Sequence, residues 1–354
     1  MDTADHKDRA SPKGLLRALS GSGPGDVRIG PILAIPAVLT ERGVDPEVVF
    51  ARVGIDLRLF QDPESRLSLT AVGGLLDVCA AVIACPHFGL LVGARFALKG
   101  LGPLGELMRS AATVGDALGI LLRHLHLHDR GAAPVLLAGD SASVVLGYSI
   151  ARHGTPGSAR IYDAAIAIAY RILSELCGVF FRPLQVQFSY GRPSRTAPYG
   201  RLFRSGVAFD ADLSGIVFAA SWLTKPIESA DAGYHSRLER TFQDAEAGGP
   251  MRFGERVESM LHQQLLSGAT RAGAVARQFA ISERTLRRQL KEEGTSLQQL
   301  INRTRYELAR QLLDNTGLTV SAIAAALHYP DPNVFSRAFR NWAKCSPTQW
   351  RARR

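Results

Sequence analysis

Two stretches in the last quarter of this 354-residue chain repeat one another. Residues 275–296 read VARQFAISERTLRRQLKEEGTS, and residues 323–347 read IAAALHYPDPNVFSRAFRNWAKCSP. Val275-Ala276 aligns with Ile323-Ala324, Phe279 with Leu327, and Leu286 and Leu290 with Phe335 and Phe339; the second copy has one extra residue in its turn. Each copy asks for the same small unit. A short helix carries an alanine (Ala276, Ala324) where a second helix must come close. A turn follows, and then a helix whose two bulky residues at i and i+4 lie on one inner face. Ser282 and Asp331 stand where N-caps belong.

The outward faces of the second helices are rich in groups that hydrogen-bond base edges and phosphates. The first copy offers Arg284, Thr285, Arg287, Arg288 and Lys291; the second offers Asn333, Ser336, Arg337 and Arg340, with Lys344 just beyond. A helix of this kind fits a DNA major groove, where Arg and Asn make bidentate contacts to purines. Arg284, Thr285, Arg287, Arg288, Asn333, Ser336 and Arg337 are the expected base readers, and Lys291, Arg340 and Lys344 the expected phosphate holders. Arg288 also stands four residues before Glu292, so a helix-supporting ion pair is a second role open to it. Between the copies, Leu300, Ile301, Leu308, Leu312 and Leu313 fall close to one face of a helix over 297–315. At roughly 1.5 Å per residue it makes a rod of about 25 Å. Such a rod suits two recognition helices about one DNA turn apart, roughly 34 Å. The expected units are a first helix-turn-helix over 271–293 and a second over 319–343.

Charge is distributed to match. Residues 251–354 hold 17 of the 42 Lys and Arg but only 8 of the 32 Asp and Glu, a net of +9 out of the chain's +10. A basic block beside a nearly neutral one is the footprint of a polyanion-binding module, although a basic surface kept for solubility carries the same charge. Ahead of it the pattern is mixed. Residues 1–25, polar and rich in Gly, Ser and Pro, read as a disordered tail. Helices are expected over 36–42, 46–53, 69–83 and 113–128, the last with Thr113 as cap and Asp116 three residues on. Strands are expected over 134–138 and 143–150 with Gly139-Asp140 between them, and over 183–190, 207–209 and 216–218. Helices are expected over 158–177 and 233–242. The fold class is therefore an α+β N-terminal domain followed by an all-α DNA-binding domain with two helix-turn-helix units. The boundaries are 26–230 for the effector-binding or dimerisation domain, 231–250 for a linker and 251–354 for the DNA-binding domain.

The C-terminal block resembles the AraC/XylS family of bacterial transcription regulators. The resemblance rests on the first repeat, on RYELAR at 305–310 with Leu312-Leu313, on Ile323-Ala324, and on FSRAFRNW followed by Ser346-Pro347. Two positions depart from the family pattern. Leu327-His328-Tyr329 stands where a Gly follows the Leu, and Pro330 replaces a Ser. Gly suits a positive φ there, and His meets a modest steric cost. Residues 100–131 and 210–227 resemble the family branch with a large N-terminal domain. The resemblance implies a cytoplasmic regulator, an activator by its family, working as a homodimer through its N-terminal domain. Its implied partners are double-stranded promoter DNA, RNA polymerase and a small-molecule effector. Two alternatives stand beside this: an architectural protein that binds nucleic acid without sequence preference, and a regulator whose N-terminal domain only dimerises.

Other chemistries find little support. GxSxG, P-loop, HExxH and paired-cysteine motifs are missing from the sequence, so neither an enzyme nor a cofactor is expected. Residues 100–105 spell GxGxxG, but no strand pattern precedes them and Pro103 lies inside; a packing turn is expected. His124 and His128 would share a helix face beside His126 and Asp129, but without further ligands no metal is expected. Asp163 with His153 is an isolated pair. Cys79, Cys85, Cys177 and Cys345 read as buried reduced thiols. No apolar run reaches the roughly 18 residues of a membrane span, and no apolar export core opens the chain. Arg152, Arg160, Arg182, Arg192 and Arg195 hint at an acidic effector; a solvated surface is the other reading of them.

Overall fold

The computed structural model describes residues 26–125, 131–138, 142–150, 155–247, 253–254, 257–258, 261, 272–279 and 281–352. The expected tail, the hairpin residues Gly139-Asp140, His126, His128, Asp129, Arg152 and His153 lie outside them.

The N-terminal part is α+β. Strand β1 (Asp26–Arg28) pairs antiparallel with β2 (Arg66–Ser68), bracketing helices α1 (Ile35–Glu41) and α2 (Pro46–Arg52). Helices α3 (Leu69–Val82), α4 (Phe88–Gly93), α5 (Pro103–Arg109) and α6 (Val114–His124) follow. Their starts are set by local chemistry. Ser68 Oγ accepts from the Ala71 N–H at the head of α3. Thr113 and Asp116 exchange hydrogen bonds in a complete capping box at the head of α6, satisfying donors the helix cannot pair itself. The hairpin of β3 (Ala132–Ala138) and β4 (Ser143–Ile150) leads into α7 (Ser158–Cys177). Then come β5 (Gln185–Gln187), α8 (Ala197–Phe203), β6 (Gly206–Ala208) and β7 (Ser214–Ala219). Among the described residues these strands form a five-stranded sheet in the order β3-β4-β7-β5-β6, antiparallel except for the β5–β6 pair. Helix α7 packs on one face of this sheet with α4 behind it. Helix α9 (Ala232–Ala247) runs through the segment read as a linker, and its Leu238 and Phe242 are buried in the N-terminal core.

The C-terminal part is all helical: α10 (Ala272–Gln278), α11 (Glu283–Glu292), α12 (Leu297–Asn315), α13 (Val320–Ala326), α14 (Pro332–Ala343) and α15 (Pro347–Ala352). Its core gathers Leu286, Leu290, Leu308, Leu312, Phe335 and Phe339, and Val135 of β3 and Leu213 just before β7 join it. The reason lies in strand alternation. On β4, Val144, Leu146 and Ile150 point into the N-terminal core, while Gly147 faces the other way. A Cβ at Gly147 would sit 2.4 Å from Leu213 Cδ2 and 2.8 Å from Val135 Cγ2. On this face Gln311 Nε2 of α12 donates to the Ser149 carbonyl at 2.7 Å, and the Gly317 N–H donates to the Asp212 carbonyl at 2.7 Å. The sheet is thus a single layer between two cores.

The four cysteines are buried and free. Burial pushes the Cys79 and Cys177 thiols up to about 12, which keeps them as unreactive thiols at neutral pH. Among the described residues no helix is long and apolar enough to cross a membrane.

Candidate nucleic-acid interface

Each helix-turn-helix is braced from behind. In the first, Leu286 and Leu290 are completely buried against Val275 and Ala276. In the second, Phe335 and Phe339 are completely buried against Ile323, Ala324 and Leu327. The turns repeat as well: the Ile281 N–H donates to the Ala276 carbonyl at 3.0 Å, and the Tyr329 N–H to the Ala324 carbonyl at 2.9 Å. In the second turn the His328 N–H also donates to the Ala325 carbonyl. These two bonds make a Schellman cap, with His328 at φ +54° in the position glycine favours. The extra residue of the second copy is Pro330, between Tyr329 and the cap Asp331. Ser282 Oγ accepts from the Thr285 N–H at 3.1 Å and Asp331 Oδ1 from the Asn333 N–H at 2.6 Å, so both expected caps are in place.

With the apolar pairs turned inward, the polar groups turn outward. Arg284, Arg287, Arg288 and Lys291 are exposed on α11; Asn333, Arg337 and Arg340 are exposed on α14, and Lys344 just after it. Thr285 and Ser336 are half-buried. The Thr285 hydroxyl lies 2.9 Å from Ser282 Oγ, within the cap itself. Two of the arginines are paired with acids of their own helix: Arg287 Nη2 with Glu283 Oε2 at 2.9 Å, and Arg288 Nε with Glu292 Oε1 at 3.7 Å. All four of these side chains are largely exposed, so the pairs are weak and exchangeable. Lys344 Nζ donates to the Asn341 carbonyl at the end of α14.

Helix α12 holds the units together. Its Leu300, Thr304, Leu308, Leu312 and Leu313 are buried along one side. The Arg305 guanidinium lies 4.7 Å from the Tyr329 ring centre, and burial raises the Tyr329 hydroxyl's pKa. Trp350 Nε1 of α15 donates to Asp314 Oδ1 at 2.7 Å, and Arg351 to the Leu318 carbonyl. The α15 anchor and the ties from Gln311 and Gly317 across to the N-terminal part leave no periodic trace in the sequence, being single residues spaced far apart.

The remaining candidates resolve differently. Pro103 opens α5, and a Cβ at Gly105 would fall 2.1 Å from the Leu98 carbonyl oxygen. That glycine serves close packing, and a 3₁₀ turn rather than a strand precedes it. Asp163 is buried and accepts hydrogen bonds from the Tyr190 and Tyr199 hydroxyls. Burial lifts its carboxyl to about 7 and raises both tyrosines, which makes it a polar knot inside the core. Among the arginines read as a hint of an acidic effector, Arg152 lies outside the described residues. Arg182, Arg192 and Arg195 are exposed, with Arg182 donating to the Val179 and Phe181 carbonyls, and Arg160 pairs with Asp77 at 3.3 Å.

The comparisons with known proteins agree with this architecture. Residues 43–227 match the arabinose-binding N-terminal domain of AraC transcription regulators, and residues 275–353 match a helix-turn-helix domain. The chain belongs to the AraC family of transcription regulators. It is 28% identical over 316 residues to the HTH-type transcriptional regulator VirS of Mycobacterium tuberculosis, covering 89% of this chain and 93% of that one. It is 26% identical over 327 residues to the ornithine utilization regulator of Pseudomonas aeruginosa, covering 90% and 94%. Over 74 residues it is 45% identical to the activator RhaS of Escherichia coli, covering 20% of this chain and 27% of that one. The crystal structure of the regulator CdpR from Pseudomonas aeruginosa aligns with a TM-score of 0.45 at 22% identity, over 86% of this chain and 96% of that one.

Proposed function

We propose that this regulator binds particular promoter sequences by laying α11 and α14 in successive major grooves, as a cytoplasmic homodimer that contacts RNA polymerase and activates transcription under control of a small molecule. The observation carrying the DNA reading is the division of each helix. Leu286 and Leu290, like Phe335 and Phe339, are sealed inside, while the arginines and Asn333 of the same helices face solvent. Arg284, Thr285, Arg287, Arg288, Asn333, Ser336 and Arg337 read base edges; Lys291, Arg340 and Lys344 hold phosphates. Glu283 and Glu292 keep Arg287 and Arg288 extended until DNA takes their place, so the ion pair and the base contact are successive uses of one side chain. Residues 26–230 form the sensing and dimerising domain and 251–354 the DNA-binding domain. Support for a sensor comes from the match of residues 43–227 to a ligand-binding domain type.

The test is selection of bound sequences from a random duplex pool with the full chain, followed by footprinting. A recurring two-part motif, bound at least about a thousandfold better than random duplex, is the expected result. A ratio near one would leave an architectural protein instead. In the selected complex, Arg288→Ala should lose preference at one base position; unchanged footprint and affinity would remove Arg288 from the reading set.

A further inference from the structure

The N-terminal half holds a partly open cavity of about 110 Å³ between α3, α6, α7 and the inner face of the β3–β4 hairpin. Its walls include Leu76, Leu121, Leu146, Ile161, Ile168 and Ile172. Apart from Tyr148, every described residue lining it is aliphatic, proline or glycine. No charged or amide side chain reaches it among the described residues, although the matching domain type is named for a sugar.

That lining is chemically selective. A sugar brings a hydroxyl on nearly every carbon, and nearly all would be stripped of water with no side-chain partner but Tyr148 among the described lining residues. A carboxylate would be worse placed, because an unpaired charge in an apolar chamber is strongly disfavoured. A hydrocarbon surface meets no such penalty, and apolar cavities of this general size hold ring-sized hydrocarbons. The position of the cavity bears on regulation. Leu146 and Tyr148 of β4 face it. One residue away on the same strand, Gly147 backs onto Leu213 and Val135 of the C-terminal core, and the Ser149 carbonyl is held by Gln311 of α12.

We propose that this cavity is the effector site and that it takes an uncharged hydrocarbon group of roughly five or six carbons, transmitting occupancy to the recognition helices through β4 and α12. The proposal rests on the regulator reading above for its effect on DNA, but not for binding itself. The experiment uses the full chain with benzene as probe, benzoate as its charged counterpart, and arabinose. Benzene should raise the melting temperature along a saturating curve and change affinity for the selected duplex by about fivefold or more; benzoate and arabinose should do neither. Ala165→Phe, which fills the cavity, should abolish the benzene response. If that variant does not fold, Leu121→Ala, which enlarges the cavity, should extend binding to n-butylbenzene. Arabinose or benzoate acting like benzene, or a filled variant still responding, or an enlarged one excluding the longer probe, would overturn the assignment. Benzene binding that leaves DNA affinity unchanged would overturn its regulatory half. Arg288→Ala should retain the benzene response, so failure of base reading is seen separately from failure of the cavity.

Discussion

The two helix-turn-helix units share a plan and differ in what holds them. The first has an aliphatic centre: Leu286 and Leu290 close onto Val275 and Ala276, the Phe279 ring meets Phe253 at its edge, and its outer face is laced by Arg287–Glu283 and Arg288–Glu292. The second is aromatic: Phe339 meets the rings of Phe335, Tyr306 and Trp350, and Phe335 meets Tyr329. Through these rings α14 is fastened to both α12 and α15. Among the described ion pairs none lies on α14. One topology is therefore stabilised by a pair of branched side chains in one copy and by a ring network reaching across three helices in the other.

The largest expected difference lies in those cores. Phe339→Ala should destabilise the second unit by about 3–5 kcal/mol, against about 2–4 kcal/mol for Leu290→Ala in the first. Thermal melting of the full chain and amide exchange resolved by unit would read both, and an equal or larger loss from Leu290→Ala would erase the distinction. Next come the reading faces. Arg337→Ala on α14 should weaken binding to the selected duplex by about 1–3 kcal/mol and relax preference at one base position, measured by titration against single-base variants. A uniform loss across all sequences would move Arg337 to the phosphate-holding group. His328→Gly should stabilise the second unit by about 0.5–1 kcal/mol, since a positive φ strains a residue with a Cβ; a lower melting temperature would show that the imidazole makes up for the strain. The smallest effect belongs to Glu292→Gln. Stability should change by less than about 0.5 kcal/mol, while DNA affinity rises as Arg288 loses its competitor. Affinity that falls would mean that the pair positions Arg288 for its contact.

Sequence carries the C-terminal half well because its information is local. Pairs at i and i+4, caps one residue before a helix and a repeated spacing all survive without knowledge of the partner. The break after Asn315 and the caps Ser282 and Asp331 follow from such rules. Nearby failures have local causes too. Helix α8 begins with Ala197-Pro198 and contains Gly200, and α15 begins at Pro347, so both resemble breaks more than helices. The sheet is harder. The parallel pairing of β5 with β6 joins three-residue strands around a helix, and nothing in Gln185–Gln187 says which neighbour it takes. The cavity is illegible for the same reason: its walls run from Val27 to Ile172, and only folding brings them together.

Gly147 gives the molecule a property that neither half has alone. With only a hydrogen at that position, one strand separates the chamber from Leu213 and Val135, whose side chains join the core of the reading machinery. Close-packed interiors compress little, so a guest that swells the chamber presses through the strand onto Leu213 and Val135, and through them on the helical core. Adding one methyl, as in Gly147→Ala, would wedge the layers apart from within, much as a permanent occupant would.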